Sequence, residues 1–172
     1  MNFWEIISNV FTLSLIYSTI RVSVSIIYAG MGEMITERSG VLNIGLEGIM
    51  LMGAFSAAIV TYFTTNPWIG LASAAVVGVL IALIFAFIAI TLKAQQAIAG
   101  LAIFLLGVGL SGYLLQIIFK HGGNSPMVPT LPIIHFAFLE NIPVLGPIFN
   151  DHSVLMFPAL LLPLLLHFFF YN

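Results

Sequence analysis

The chain has 172 residues, of which 61% are hydrophobic and 6% charged, with a formal net charge of −2 and a mean hydropathy of +1.18. A soluble domain carries about 25% charged residues, so a soluble globular domain is excluded and lipid is the solvent that this composition fits. Four cationic residues in no basic patch argue against nucleic acid, and the lack of cysteine removes disulfides, thiolate metal sites and a cysteine nucleophile.

The opening Met1-Asn2-Phe3-Trp4-Glu5 has no Lys or Arg. The apolar run behind it exceeds the roughly 7–15 residues of a signal-peptide core, so a retained transmembrane helix is expected rather than a cleaved leader. Crossing the hydrocarbon takes about 20 mostly apolar helical residues, because every backbone group must be satisfied internally. Five segments meet that requirement: 6–30, 41–63, 69–92, 97–119 and the shortest, 154–171. The predicted fold is therefore all-α, a polytopic transmembrane helix bundle forming one membrane domain over 1–172.

Thr64-Thr65-Asn66-Pro67 and Lys93-Ala94-Gln95-Gln96 read as tight polar turns, with Pro67 suited to the first turn of a helix. The long connection, 120–153, holds Gly122-Gly123-Asn124-Ser125-Pro126 and then Pro129, Pro132, Pro143 and Pro147. It also carries the apolar pairs Ile133-Ile134 and Phe136-Phe138, which predicts a Pro/Gly-rich external loop folded as a cap on the membrane. Arg38 and Lys93 fall on one side of the bilayer and Lys120 on the other, a bias that places the N-terminus outside.

Polar groups inside the spans narrow the reading. Ser14, Ser18, Arg21 and Ser25 share one face of the first helix. Arg21 lies about 15 Å from the Gly30 end at helical rise, so it should face protein or a water-filled cavity. A structural ion pair with Glu33 or Glu47 and a pathway-lining role are both open. Span three repeats Gly70, Ala74, Gly78, Ala82 and Ala86 at every fourth position, a ridge that lets a second helix approach closely. Gly53, Ala57, Ala54 and Ala58 repeat the device in span two, and Gly100, Gly107 and Ser111 in span four.

The stretch from Gly30 to Gly53 is the richest. Glu33, Glu37, Arg38 and Glu47 stand among glycines at 30, 32, 40, 45, 48 and 53, and Asn43 and Glu47 are spaced to share a helix face. Gly40, Gly45 and Gly48 each weaken a helix by up to about 1 kcal/mol relative to alanine, which predicts a helix break. Broken helices with acidic residues mark transporter pathways; the alternative is a loop followed by a helix whose first turn attracts acids.

Enzyme motifs are absent. There is no P-loop, G-x-S-x-G or S-x-x-K pattern, so no catalytic residue is expected. His121, His135, His152 and His167 have no ligand-like spacing, which predicts surface or interfacial roles and no metal or cofactor.

The run Glu37-Arg38-Ser39-Gly40-Val41-Leu42-Asn43-Ile44-Gly45-Leu46-Glu47-Gly48-Ile49-Met50-Leu51-Met52-Gly53-Ala54-Phe55 resembles the signature of ATP-binding-cassette importer permeases. It is most similar to the nucleoside and simple-sugar branch, related to ribose and branched-chain amino acid permeases. Gln96-Ala97-Ile98-Ala99-Gly100-Leu101-Ala102 with Leu105-Leu106-Gly107-Val108-Gly109-Leu110 resembles a second block. Pro143-Val144-Leu145-Gly146-Pro147 leading to Pro163-Leu164-Leu165-Leu166-His167-Phe168 resembles a third.

The resemblance implies tightly packed helices forming part of a translocation pathway, with Gly40 to Gly48, Asn43 and Glu47 in its lining. It implies a transport subunit in the plasma membrane of a prokaryote, for nucleosides or related simple sugars. It also implies three partners: a second permease subunit, a cytoplasmic ATP-binding subunit and an external solute-binding lipoprotein. Family permeases are longer, so the resemblance covers their N-terminal part. The alternative expectation is a truncated, non-transporting membrane remnant or assembly partner.

Overall fold

A computed structural model describes residues 13–120, 127–135 and 150–171. The start of the first expected span, His121, Gly122 to Pro126, Phe136, Phe138 and Pro143 to Pro147 lie outside the described residues. The elements are α1 (Leu13–Arg38), α2 (Leu46–Thr64), α3 (Pro67–Ala86) continued by a π-helical segment (Phe87–Thr91), α4 (Gln96–Phe119), β1 (Ile133–Ile134), β2 (His152–Ser153) and α5 (Met156–Tyr171). The architecture is essentially all-α. Among the described residues, four helices are long and apolar enough to cross a membrane: Leu15–Arg38, Leu46–Thr64, Pro67–Thr91 and Gln96–Phe119. The 16 residues of α5 reach about 24 Å at helical rise, and Pro163 lies inside the helix.

Two boundaries differ from the sequence expectation. α1 runs on past Gly30 to Arg38, and α2 begins at Leu46 rather than near Val41. Met31, Glu33, Met34, Glu37 and Arg38 are good helix formers and carry α1 through its glycines. Gly40, with φ of +83°, stops it. The amide of Gly40 donates to the Glu37 carbonyl (2.9 Å) and that of Val41 to the Thr36 carbonyl (3.0 Å), the paired bonds of a Schellman C-cap.

The chain forms two compact units, residues 1–31 with 131–172 and residues 32–130. In the second unit α2, α3 and α4 pack through small residues. Gly70 sits against Thr61 and the Ala57 carbonyl, Gly53 against Ala74, and Gly78 against Ile49. Ser56 Oγ donates to Ser73 Oγ across the same seam at 3.1 Å. Ala82 and Ala86 are half-buried. Below the seam, Ile81, Phe85, Ala89, Ala99 and Ile103 form a buried cluster flanked by Val41, Ile49 and Met52. Val76, Val79, Leu80, Leu83, Ile84 and Phe87 are exposed, the apolar face that lipid would cover. Asn66 Oδ1 accepts from the Trp68 amide (3.0 Å), capping α3 with Pro67 in its first turn.

In the first unit, Tyr17 and Tyr28 are eleven residues apart on α1, three turns and so on one face. Tyr17 Oη donates to the Asp151 carbonyl (2.7 Å), and Tyr28 Oη to the Leu155 carbonyl (2.9 Å). β1 pairs antiparallel with β2, Ile133 opposite Ser153 and Ile134 opposite His152. Of the surface and interfacial roles expected for the histidines, the surface one does not describe His152, which is only 2% exposed and stacks its ring on Tyr17 with centroids 4.4 Å apart. His135 Nδ1 lies 3.0 Å from Asp151 Oδ1.

Candidate functional site

The connection between α1 and α2 gathers most of the polar residues singled out in the sequence. Once the Schellman cap has closed α1, the chain leaves helical geometry, and its amide groups lose their helical acceptors before α2 begins. An amide buried without a partner costs about 1–3 kcal/mol, so each needs a substitute acceptor.

Three side chains provide them. Gln96 Oε1 accepts from the Leu42 amide at 2.8 Å, and Gln96 Nε2 donates to the Gly40 carbonyl at 3.4 Å. Glu33 Oε1 accepts from the Asn43 amide at 2.8 Å, while its Oε2 accepts from Thr36 Oγ1 at 3.1 Å. Asn43 Oδ1 accepts from the Gly45 amide at 3.1 Å, and the Asn43 carbonyl accepts from the Leu46 amide at 3.3 Å. The break is thus braced from α1, from within itself and from the first residue of α4. Because Gln96 opens α4, the break is level with the first turn of that helix and not in the middle of a span.

Glycine pairs allow this approach. A Cβ on Gly45 would lie 2.9 Å from the Gly100 carbonyl oxygen, and one on Gly100 would lie 2.8 Å from the Gly45 nitrogen. One turn further in, a Cβ on Gly48 would lie 2.5 Å from the Ile103 oxygen, and one on Gly107 would lie 2.5 Å from Gly48 Cα. Backbone meets backbone at both levels, so α4 closes directly over the entry to α2.

Several sequence expectations change. Gly48 is not part of the break; it lies inside α2, where its missing side chain makes room for α4. Asn43 precedes α2, so it does not share a helix face with Glu47. It is 8% exposed and engaged with backbone. Glu47 is exposed in the first turn of α2, where the helix terminus favours a carboxylate. Arg21 is exposed on α1, and twelve helical residues, about 18 Å, separate it from Glu33. Glu33 is engaged by the Asn43 amide and by Thr36 Oγ1. Gln96 is the residue that reading for sites missed. Its motif block is visible in the sequence, but no local spacing links it to a backbone segment 54 residues earlier.

The family model for the branched-chain amino acid transport system, permease component, matches residues 15–172. The chain belongs to this permease family. Members of the family are transport subunits and not enzymes, and the apolar helices make this one a multi-pass membrane protein. It is 34% identical over 166 residues to a Haloferax volcanii protein provisionally named as a glucose ABC transporter permease, covering 94% of this chain and 49% of that protein. It is 32% identical over 155 residues to the Bacillus subtilis guanosine ABC transporter permease protein NupQ, covering 87% and 47%. With the Lactococcus lactis nucleoside ABC transporter permease protein NupC it shares 31% identity over 147 residues, covering 82% and 44%. The chain spans about half the length of these curated relatives. No solved structure matches at a significant level.

Proposed function

We propose that the chain is part of the permease subunit of an ATP-driven importer for nucleosides or related simple sugars, in the plasma membrane of a prokaryote. The family match over residues 15–172 carries the reading, and the names of the guanosine and nucleoside relatives support the solute class. The partners would be a second permease subunit, a cytoplasmic ATP-binding subunit and an external solute-binding lipoprotein. The protein does no covalent chemistry in this scheme. Its helices expose a path alternately to the two sides of the membrane.

Within that path the braced break between α1 and α2 would form part of the wall near one membrane face. Glu33 and Asn43 hold backbone there, and Glu47, exposed in the first turn of α2, is the candidate acidic residue of the path. The test is uptake of labelled guanosine by cells expressing the chain with its neighbouring transporter subunits, together with co-purification of the ATP-binding subunit. Uptake abolished by loss of the chain, and reduced in Glu47→Gln at equal membrane abundance, is the expected result. No dependence of uptake on the chain, and no co-purification, would refute the importer reading. Unchanged uptake in Glu47→Gln alone would remove that residue from the path.

A further inference from the structure

We propose that one end of the α2–α4 bundle is a binding surface for anionic phospholipid headgroups, with Lys120 as the phosphate contact and Tyr62, Phe63 and Trp68 as anchors at the hydrocarbon boundary. The inference rests on the membrane helices alone and is independent of the solute and of coupling to an ATPase.

The register of the second unit brings these residues to one end. α2 and α4 run parallel: Gly45 meets Gly100 and Gly48 meets Gly107, and further along the rings of Tyr62 and Phe119 meet edge to face with centroids 5.2 Å apart. α3 runs antiparallel to α2, since Gly70 packs on Thr61 and Gly78 on Ile49. The C-terminal ends of α2 and α4 therefore share a level with the N-terminal end of α3. Tyr62, Phe63 and Trp68 are exposed there, and Lys120, also exposed, follows Phe119 as the C-cap of α4. The tyrosines and tryptophans of α2, α3 and α4 are Tyr62, Trp68 and Tyr113, and all three stand toward this end.

The helix ends set the depth. The Thr65 amide returns to the Thr61 carbonyl and the Lys120 amide to the Gln116 carbonyl. Each helix still leaves terminal carbonyls that hydrocarbon cannot satisfy and headgroup water can. Rings with an apolar body and a polar edge are most stable at that same boundary. Charge then selects the lipid. No Asp or Glu occurs between Glu47 and Glu140. The acids of this unit, Glu33, Glu37 and Glu47, cluster around the break at the opposite end, so none neutralises Lys120. A lysine at this level attracts anionic headgroups. From Leu46 to Tyr62 α2 rises about 24 Å, which puts Glu47 and the break close to the other headgroup layer.

The chain has two tryptophans, so Trp4→Phe leaves Trp68 as a single native reporter. The full chain would be purified in detergent and returned to vesicles of phosphatidylcholine brominated either high or low on its acyl chains. Trp68 fluorescence should be quenched more by the shallow bromines than by the deep ones. Stronger quenching by the deep bromines, or no quenching by either, would overturn the proposal. Lys120 is tested with a Tyr62→Trp reporter in a chain whose two native tryptophans are changed to Phe, comparing brominated phosphatidylglycerol with brominated phosphatidylcholine. The anionic lipid should bind about fivefold more tightly at that site, the share of one basic residue at a membrane surface. Lys120→Gln should abolish the preference and Lys120→Arg should keep it. Equal affinity for the two lipids, or a preference that survives Lys120→Gln, would overturn the assignment of Lys120 to lipid phosphate.

Discussion

A single methyl group at Gly48 tests how closely α2 and α4 pack. The Cβ of Gly48→Ala would stand 2.5 Å from the Ile103 oxygen and 2.7 Å from Phe104 Cα. Carbon contacts settle at about 3.5–4.0 Å, so the helices must separate by about 1 Å. The obstructing atoms are backbone, and no rotamer change relieves them. Overpacking of this kind costs about 1–3 kcal/mol, and the better helix propensity of alanine returns about 1 kcal/mol. A net loss of up to about 2 kcal/mol is expected.

Gly53→Ala is the matched control, in the same helix but meeting the Ala74 oxygen at 3.6 Å and its Cβ at 3.9 Å. Those are ordinary contacts, so this variant should be neutral or more stable by up to about 1 kcal/mol. Both are measured by helix loss on titrating detergent-solubilised protein with SDS. If Gly48→Ala proved as stable as Gly53→Ala, the direct backbone contact between α2 and α4 would be refuted.

The bracing of the break makes two further predictions. Glu33→Leu leaves the Asn43 amide without an acceptor and should cost about 1–3 kcal/mol, whereas Glu33→Gln keeps an acceptor oxygen and should recover most of it; hydrogen exchange at Asn43, read by mass spectrometry, separates the two. Gln96→Leu should accelerate exchange at Leu42 while leaving Asn43 and Gly45 protected, and equal acceleration at all three amides would contradict separate acceptors.

Much of the fold is legible in the residues themselves. A hydrocarbon environment admits few structures, since a spanning segment must satisfy its own backbone, and runs of about 20 apolar residues then announce the helices. The turn at Asn66-Pro67 is equally local: one side chain reaches an amide two residues on, and the pattern is written in adjacent letters. The small residues of α3 at every fourth position likewise give the face that meets α2, because helical periodicity converts spacing into direction.

The break between α1 and α2 was legible only as a cluster of glycines and acids. Its extent depended on which glycine took a positive φ. Gly40 did, while Gly30, Gly32 and Gly48 remained within helices. Which polar residues stay exposed was not local either. Glu33 and Asn43 are held by backbone amides that became unsatisfied only when the helix stopped. Gln96 came to brace Leu42 across 54 residues because Gly45–Gly100 and Gly48–Gly107 let two backbones touch.

Sequence alone thus determined the solvent, the helices and the family, since hydropathy, periodicity and motif are properties of neighbouring residues. Tertiary structure decided where α1 ends, why Gly48 is a packing residue, and which polar groups around the glycines remain exposed. Those outcomes rest on close approach between distant segments, and the distances that set it exist only once the helices are packed.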